Sequence, residues 1–554
     1  MTTPNLSQPP RKRAVISSFI FKSPDEGQKK PQVALFRRSD KVRTYRWVSM
    51  TPASRAPAQP SNNQSHHLAP ISGSIDPNES PLEAAWRELS EETSLNCTSL
   101  SHWRTGKPFS FTDPSVNREW TIHPFAFRLK STGEGGLGEK AIKIDWEHEG
   151  WQWFDPDSIV DNEEFGGVPR LHESLRRIWF EGEMNERAAE VLAAGLDRLQ
   201  MDHQSGSQEL TAIALGVFRD IVVQTRDGLD GDWWAMVRMA AWHLGKNGRE
   251  SMGTSITNAL ISMLSDMDGI WQQQTSEEAK WDRILGAIDH HLSERKCRTK
   301  KIKDAFVSYL QSTFSSSDDH QQKNRLVIMT VSASSTIRDS ILDAFGAIGN
   351  VKALELRVLE SRPLYEGVTI ASSLYSQFKS QFPTSPQNKT LEIKIYTDAS
   401  AALAATDVDF LLIGADRISN TKGISNKIGS LPAILSAKHV QPSIKVLVLS
   451  DLEKVEGLNG EESQSSQEDN DPMEIVDGWN SQGVKGLPVL EDGINASKSG
   501  DSNARVQVKN IYFEWVPLAL VEALVCEQGV LNKDSIRDQS LRLGGVINRY
   551  FGEL

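Results

Sequence analysis

The residues best suited to chemistry lie in a short acidic segment that follows a glycine loop. Gly73 and Glu79 precede a predicted helix in which Glu88, Glu91 and Glu92 recur at positions i, i+3 and i+4. This spacing places the three carboxylates on one face of the helix, where their like charges repel each other. A divalent cation relieves that repulsion, and carboxylate oxygens with room for water and phosphate favour Mg²⁺ or Mn²⁺. The segment therefore predicts a metal site.

Local signals define where this helix begins. Ser80 can cap a helix whose first residue is Pro81, and Glu83, three residues after the cap, completes a capping box. Leu82 and Leu89 share a different face from the acids, and that face is apolar enough to pack on a core. The helix should therefore present its carboxylates away from the core.

The pattern resembles the Nudix box, GX5EX7REUXEEXGU, in which U is an aliphatic residue. The resemblance covers about residues 14 to 182, and the one departure is Ser94, where the family usually has glycine. The positions that agree with the box are Gly73, Glu79, Arg87, Glu88, Leu89, Glu91, Glu92 and Leu95.

The resemblance implies an α+β hydrolase domain and assigns roles within the box. Glu88, Glu91 and Glu92 are expected to hold the metal, and together with Arg87 they are the expected catalytic residues. The implied reaction is attack of a metal-activated water on the pyrophosphate of a nucleoside diphosphate derivative. ADP-ribose is one candidate substrate.

Two further groups of residues complete the expected hydrolase site. Gly73 and Glu79 are expected to be substrate-binding, with Glu79 bracing the loop against the helix. The box does not say which acid serves as the base, and Glu119, Glu147 and Glu149 are candidate helpers.

Strand-like segments surround the acidic helix. Residues 14–21, 32–36, 120–128 and 151–154 carry the apolar residues typical of strands. The stretch near 47–65 is rich in Ser, Pro, Asn and Gln, with too few large apolar residues to form a core. We interpret it as a low-complexity insertion, either a surface loop or a retained non-coding segment.

The remainder of the chain has a helical region followed by a region of alternating strands and helices. Residues 185–311 have the three- and four-residue apolar spacing of a helical subdomain. Five apolar strands then alternate with helices, which predicts a doubly wound, Rossmann-like α/β domain with a parallel sheet over 325–454 and 506–554. The acidic, polar residues 455–505 are expected to be a disordered insertion. The predicted strands are 325–329, 353–359, 391–397, 409–415 and 444–450.

Polar residues gather at the predicted carboxyl ends of these strands, where doubly wound sheets bind ligands. Ser332 lies in a hydroxyl-rich turn after the first strand, Arg362 follows the second, and Asp416 follows the fourth. Asn426 and Lys427 come shortly afterwards, just before a predicted helix. Free backbone N–H groups at such turns suit a phosphate.

These segments resemble the alpha/beta/delta subunit family of eukaryotic initiation factor 2B. That family also contains ribose-1,5-bisphosphate isomerase and methylthioribose-1-phosphate isomerase. The matching pieces are ESRP with its following glycine (360–367), GAD (414–416), NKIGS (426–430), a helical RxxxxTSxxNAL (249–260) and the tail segments FEWVP (513–517) and EQG (527–529).

In the isomerase branch a cysteine and an aspartate move a proton between sugar carbons. Asp416 matches that aspartate and is the expected catalytic residue here, whereas Ser332 occupies the cysteine position. A serine hydroxyl has no accessible anion near neutral pH, whereas a thiol titrates near pH 8.5. Isomerase turnover is therefore not the leading expectation.

Ligand binding does not need the cysteine. Arg249, Arg362, Asn426 and Lys427, together with Ser332, are the expected binding residues for a phosphorylated pentose or a nucleotide. The resemblance also implies a homodimer formed through the C-terminal domain.

Composition limits the partners. Acids outnumber bases by 73 to 61, so direct nucleic-acid binding is not expected. No apolar run approaches the roughly 20 residues that span a bilayer, so no membrane anchor is expected. The three cysteines are far apart and form no CxxC pair. This usage suits a reducing, cytoplasmic location.

Three hypotheses follow. The first is a Nudix pyrophosphohydrolase fused to an initiation-factor-2B-like domain that binds a sugar phosphate or nucleotide. The second adds aldose-1-phosphate isomerase activity in the C-terminal domain. The third is a non-enzymatic scaffold resembling a translation initiation factor.

Overall fold

The chain divides into two units. The structure is a computed structural model that describes residues 9–24, 30–40, 66–114, 117–202, 205–226, 231–249, 252–315, 324–331, 334–383, 389–458, 470–499, 504 and 506–554. The first unit comprises the described parts of 1–204, 213–250 and 553–554, and the second those of 205–212 and 251–552. The expected 47–65 insertion and Ser332 lie outside the described residues.

The first unit is built on a mixed sheet. Its strands are β1 (Arg11–Lys22), β2 (Gln32–Arg38), β3 (Leu68–Ala69), β4 (Leu100–Thr105), β5 (Phe109–Asp113), β6 (Arg118–Leu129) and β7 (His148–Phe154). The main order is β3-β2-β1-β6-β4, with β5 on β6 and β7 on β2. β1 and β6 pair in parallel, and the other described pairs are antiparallel. The four predicted strands fall on β1, β2, β6 and β7.

The acidic helix packs on this sheet through its apolar face. The α-helices that lie wholly or, for α4, partly in this unit are α1 (Pro81–Thr93), α2 (Leu171–Arg176), α3 (Glu186–Met201), α4 (Ser207–Gln224) and α5 (Gly231–Asn247). Ala85 and Leu89 of α1 are fully buried in one cluster with Ile16 of β1 and Phe127 of β6. This packing turns the carboxylate side of α1 away from that cluster, towards the loop of 73–79 and the turn before β7.

Helices α3 and α5 also belong to the first unit. Asn247 at the end of α5 exchanges two hydrogen bonds with the backbone of Thr105 in β4, at 2.8 and 2.9 Å. Arg104, also in β4, forms a buried ion pair with Glu181 at 2.6 Å. The predicted helical subdomain over 185–311 is therefore divided, because α3 and α5 belong to the first unit.

The second unit contains a seven-stranded sheet. Its strands are β8 (Arg325–Thr330), β9 (Ala353–Leu359), β10 (Thr390–Tyr396), β11 (Phe410–Ile413), β14 (Lys445–Leu449), β16 (Ala523–Cys526) and β17 (Gly529–Leu531). Their order is β10-β9-β8-β11-β14-β16-β17, and neighbouring strands pair in parallel except β17, which is antiparallel to β16. The first strand in sequence, β8, lies inside the sheet, so connections leave it in both directions, as in doubly wound folds.

Helices and a small sheet complete the second unit. The helices are α6 (Gly253–Trp271), α7 (Glu277–Lys296), α8 (Arg298–Ser315), α9 (Ser335–Ala347), α10 (Glu366–Gln381), α11 (Ala401–Ala404), α12 (Ser430–Val440), α13 (Met473–Ser481), α14 (Leu487–Ser499) and α15 (Lys533–Phe551). The small antiparallel sheet has the order β12-β13-β15, formed by Arg417–Ser419, Gly423–Lys427 and Phe513–Val516. It carries the residues that follow Asp416.

The expectation of disorder over 455–505 is wrong for the helices α13 and α14. Val476, Leu487 and Ile494 form a small buried cluster, against which Trp479 packs. The acidic low-complexity flanks dominate the composition of this stretch and hide two short amphipathic patterns. We call residues 470–499 the inserted helix pair.

Within the part of the chain that the structure describes, every helix is too short or too polar to cross a bilayer.

Candidate functional sites

The start of α1 follows the predicted capping box. The Oγ of Ser80 accepts a hydrogen bond from the backbone N–H of Glu83 at 3.3 Å. The Glu83 carboxylate in turn accepts from the N–H of Ser80 at 2.8 Å, and Pro81 occupies the first turn. Two otherwise unpaired helix N–H groups are thereby satisfied, which defines the register of α1.

Arg87 links the loop to the helix. Its Nε and Nη2 donate to the two carboxylate oxygens of Glu79 at 2.8 and 2.9 Å. Nη2 also donates to the carbonyl of Ser74 at 2.9 Å, and Nη1 donates to Glu88 at 2.7 Å. Such bidentate, charge-assisted bonds are strong and directional. Arg87 therefore couples the loop of 73–79 to an expected metal ligand.

Gly73 is required where the loop passes Glu88. A Cβ built on Gly73 would lie 1.9 Å from Oε1 and 2.0 Å from Cδ of Glu88. Contacts this short are forbidden, so any side chain at position 73 would expel the Glu88 carboxylate. The loop also joins the sheet, since the carbonyl of Gly73 accepts from the N–H of Ile16 at 2.9 Å.

The three box glutamates differ in environment. The Glu92 side chain is only 7% exposed and that of Glu88 14%, whereas that of Glu91 is 60% exposed. Burial, reinforced by the nearby carboxylates of Glu147, Glu88 and Asp145, raises the pKa of Glu92 to about 9. In their ionised form these carboxylates are hard oxygen donors, which is the donor set that fits Mg²⁺ or Mn²⁺.

His148 and Asp145 support Glu92 from β7 and the turn before it. The Nε2 of His148 lies 3.5 Å from a Glu92 oxygen, and its Nδ1 lies 3.5 Å from Asp145. Burial lowers the pKa of His148. The N–H of Asp145 also donates to the carbonyl of Glu92 at 3.0 Å. The sequence reasoning missed both residues because no local spacing links 145–148 to α1.

The three candidate helper acids have different partners in the structure. Glu147 is near enough to raise the pKa of Glu92. Glu119 instead lies 3.7 Å from Lys12, and Glu149 bonds to His66 at 3.0 Å. Of the three, Glu147 is the one whose charge reaches the box.

A second group of potential ligands lies apart from the helix carboxylates. Among the described residues, Asp40, His66 and Glu149 bring one ligand atom each within 4.8 Å of one another. All three side chains are exposed, and the bond of His66 to Glu149 already uses one ring nitrogen. We assign this group no role.

Ser94, the one departure from the box, has a strained backbone conformation. Ser94 ends α1 in the left-handed region, with φ 58° and ψ 13°. Glycine adopts this conformation without a Cβ penalty, which explains why it is the usual residue there. The expected metal ligands lie upstream of Ser94 in the helix.

The second candidate site lies at the carboxyl ends of β8, β9 and β11. The N–H of Asp416 donates to the carbonyl of Ser425 at 2.8 Å, which joins the end of β11 to β13. Asn426 is 2% exposed and its amide donates to Ser430 at 2.7 Å. The Nζ of Lys427 lies 2.6 Å from a carboxylate oxygen of Glu366.

Arg362 lies at the end of β9, on a turn held by Asp398. The Asp398 carboxylate accepts from the N–H groups of Ser361 and Arg362 at 2.9 and 2.8 Å. The guanidinium contacts Glu360 through Nε and Gln482 through Nη2, each at 3.3 Å. Gln482 follows α13, so the inserted helix pair touches this site.

Arg249 and Ser332 are the remaining expected residues of this site. Arg249 belongs to the first unit, where its Nη1 donates to the carbonyl of Asp202 at 3.1 Å. Ser332 lies outside the described residues.

Comparison with known proteins identifies both parts of the chain. Residues 204–533 match the model of the initiation factor 2 subunit family, and they make up more than half of the chain. The chain belongs to the initiation factor 2 subunit family. Residues 54–177 of this family member match the NUDIX domain model, as the box predicts.

Curated relatives of the chain include methylthioribose-1-phosphate isomerases that are 26% identical over part of its length. A methylthioribose-1-phosphate isomerase from Vitis vinifera is 26% identical over 254 residues, covering 45% of this chain and 59% of the relative. The enzyme of the same name from Marinobacter nauticus is 26% identical over 138 residues, covering 25% and 34%. The chain thus spans between about a third and three fifths of these relatives.

Two solved structures of initiation-factor proteins align with part of the chain. The translation initiation factor eIF-2B from Pyrococcus horikoshii aligns with a TM-score of 0.40 and 18% identity, covering 63% of this chain and 98% of that one. The eIF2B beta from Chaetomium thermophilum aligns with a TM-score of 0.42 and 12% identity, covering 68% and 96%.

Proposed function

We propose that the first unit is a metal-dependent pyrophosphohydrolase acting on a nucleoside diphosphate derivative, with ADP-ribose as the first substrate to test. The observation that carries this proposal is the coupling of Glu79, Arg87 and Glu88 around Gly73. It joins the loop of the box to its acidic helix through bonds of 2.7 to 2.9 Å.

Each residue has a defined part in the proposed mechanism. Glu88, Glu91 and Glu92 hold the metal, and when bound the metal supplies an activated water and neutralises charge on the phosphates. Arg87 and Glu79 keep the loop and the Glu88 carboxylate in place. His148 and Asp145 position Glu92 from β7 and the turn before it.

The test is a substrate panel with Mg²⁺. Wild-type protein should release AMP from ADP-ribose or the corresponding monophosphate from another nucleoside diphosphate derivative. Glu91→Gln and Glu92→Gln should each lose at least about 100-fold in kcat/KM because a charged metal ligand is removed. Glu163→Gln, which changes an exposed acid of the same unit, is the matched control. Wild-type protein with no activity on the whole panel would refute the proposal.

For the second unit we propose binding of a phosphorylated pentose or a nucleotide. This proposal is supported by the position of Arg362 after β9 and of Asn426 and Lys427 in β13, which follows β11, because the carboxyl ends of β9 and β11 share one edge of the sheet. Calorimetry with ribose 1,5-bisphosphate tests it, and Arg362→Ala should weaken binding at least tenfold. Equal affinity of the variant would exclude Arg362 from the site.

Isomerase activity is a second candidate function, favoured by the similarity to methylthioribose-1-phosphate isomerases. Asp416 would then move the proton between sugar carbons. A second acid elsewhere in the chain would replace the cysteine of the isomerases, since this chain has Ser332 in its place. Product analysis with methylthioribose 1-phosphate and ribose 1,5-bisphosphate tests this function. Asp416→Asn should abolish any turnover found.

A scaffold role and a homodimer are tested together. A homodimer through the C-terminal region is proposed on family resemblance alone, and the native mass of the purified chain measures it. Co-purification with initiation factor 2 in the absence of hydrolase activity would favour the scaffold.

We also propose a cytoplasmic location, in keeping with the three free cysteines Cys97, Cys297 and Cys526.

A further inference from the structure

The inserted helix pair is attached to the small sheet that carries part of the second site. Before the insertion, the N–H of Glu456 donates to the carbonyl of Ile418 in β12 at 2.8 Å. After it, β15 pairs with β13, so that Glu514 lies opposite Asn426 and Phe513 opposite Lys427. The described residues on either side of the insertion therefore both contact strands that follow Asp416.

Asn510 and Tyr512 fasten the helix pair to this sheet. The fully buried Asn510 donates to the carbonyl of Asp471 at 2.7 Å and to the carboxylate of Glu474 at 2.8 Å. The Tyr512 hydroxyl donates to the same carboxylate. The ring of Tyr512 also faces Lys427, whose Nζ lies 4.8 Å from the ring centroid. The position of α13 is thus tied to a binding residue.

The far end of α13 reaches Arg362. Gln482 accepts from Arg362 Nη2 through Oε1 and donates to the Tyr365 hydroxyl through Nε2, at 3.3 and 2.9 Å. The guanidinium lies 5.2 Å from the centroid of the Tyr365 ring. Gln482 therefore holds the two side chains of this turn together.

The cationic side chains of this site, Arg362 and Lys427, already bond to acceptor groups of the chain itself. The Nε–Nη2 edge of Arg362, one of the two edges a guanidinium offers to a phosphate, bonds to Glu360 and Gln482. Lys427 is paired with Glu366. A phosphorylated ligand that uses this edge of Arg362 must displace Gln482.

We propose that the inserted helix pair is an autoinhibitory cover of the second site, held closed by the bond between Gln482 and Arg362. This inference rests on the proposed anion binding of the second unit. A ligand binds by taking the place of Gln482, and the closed cover lowers its affinity.

Calorimetry on the full chain with ribose 1,5-bisphosphate tests the cover. Gln482→Ala should tighten binding about 3- to 10-fold, because one hydrogen bond to a charged group no longer competes. Gln482→Glu should weaken binding by at least about tenfold, because a carboxylate pairs more strongly with Arg362 and repels phosphate. Asn480→Ala, which removes an amide bonded to Glu491 within the helix pair, should change nothing and is the matched control.

A second measurement reports motion of the cover directly. Amide hydrogen exchange of 473–481 should speed up when the probe saturates the wild-type chain. Unchanged exchange, or a Gln482→Ala variant that binds no more tightly than wild type, overturns the inference while the Arg362→Ala result still supports binding. If no variant binds the probe, the proposed function of the second unit fails, and the cover fails with it.

Discussion

Replacing Gly73 by alanine separates the geometry of the metal site from the stability of the fold. The new Cβ would lie 1.9 Å from Oε1, 2.0 Å from Cδ and 2.6 Å from Cγ of Glu88. Because non-bonded carbon contacts need about 3.5 Å, the carboxylate must retreat by roughly 1.5 Å. The Glu88 side chain must therefore change rotamer.

The expected consequences differ for catalysis and stability. A 1 Å misplacement of a catalytic group can cost about 100-fold, so kcat/KM should fall by at least that factor, about 2.7 kcal/mol. The free energy of unfolding should change by no more than about 1 kcal/mol. The loss of the partly exposed Glu88–Arg87 pair is small and is offset by the lower entropy of unfolded alanine. Gly73 has no positive φ, so its backbone accepts alanine.

Steady-state hydrolysis, Mg²⁺ titration by calorimetry and urea unfolding of the same variant measure these effects. Gly150→Ala is the matched control, because a Cβ there meets nothing within 4 Å. Wild-type activity and Mg²⁺ affinity in Gly73→Ala would refute the placement of Glu88 beside the loop. A loss of several kcal/mol in stability would show instead that the loop backbone, and not the side chain, gives way.

Three further predictions concern stability. Ser94→Gly should stabilise the chain by about 1 kcal/mol, since φ is 58° there, and urea unfolding that finds a destabilised variant would contradict this. Burial and Asp451 raise the pKa of Glu527 from its ordinary 4.5 to about 7, so the folded state holds a proton that the unfolded state releases between these values. Stability should therefore fall by up to about 2–3 kcal/mol as pH rises through this window, and Glu527→Gln should flatten the fall in thermal scans at pH 5 and pH 8. Glu181→Gln should cost about 3 kcal/mol, because Arg104 is left buried without its counter-charge, and a cost below about 1 kcal/mol in urea unfolding would argue against that pair.

Local sequence determined the elements whose signals are short-range. The capping box of Ser80 and Glu83 and the shared face of Glu88, Glu91 and Glu92 depend on spacing within one helix, so they could be predicted. The five apolar strands of the second unit were recognisable because strands buried on both faces are almost continuously apolar.

Tertiary structure decided what spacing cannot express. His148 and Asp145 approach Glu92 because β7 and the turn before it pack beside α1, and no local pattern records that contact. The divided helical region follows from Asn247 docking on β4, since helical periodicity does not specify which sheet a helix covers. The contact of Gln482 with Arg362 joins residues 120 positions apart, and composition suggested disorder there. Periodicity reports which face of an element is apolar, whereas the partner of that face depends on how the whole chain folds.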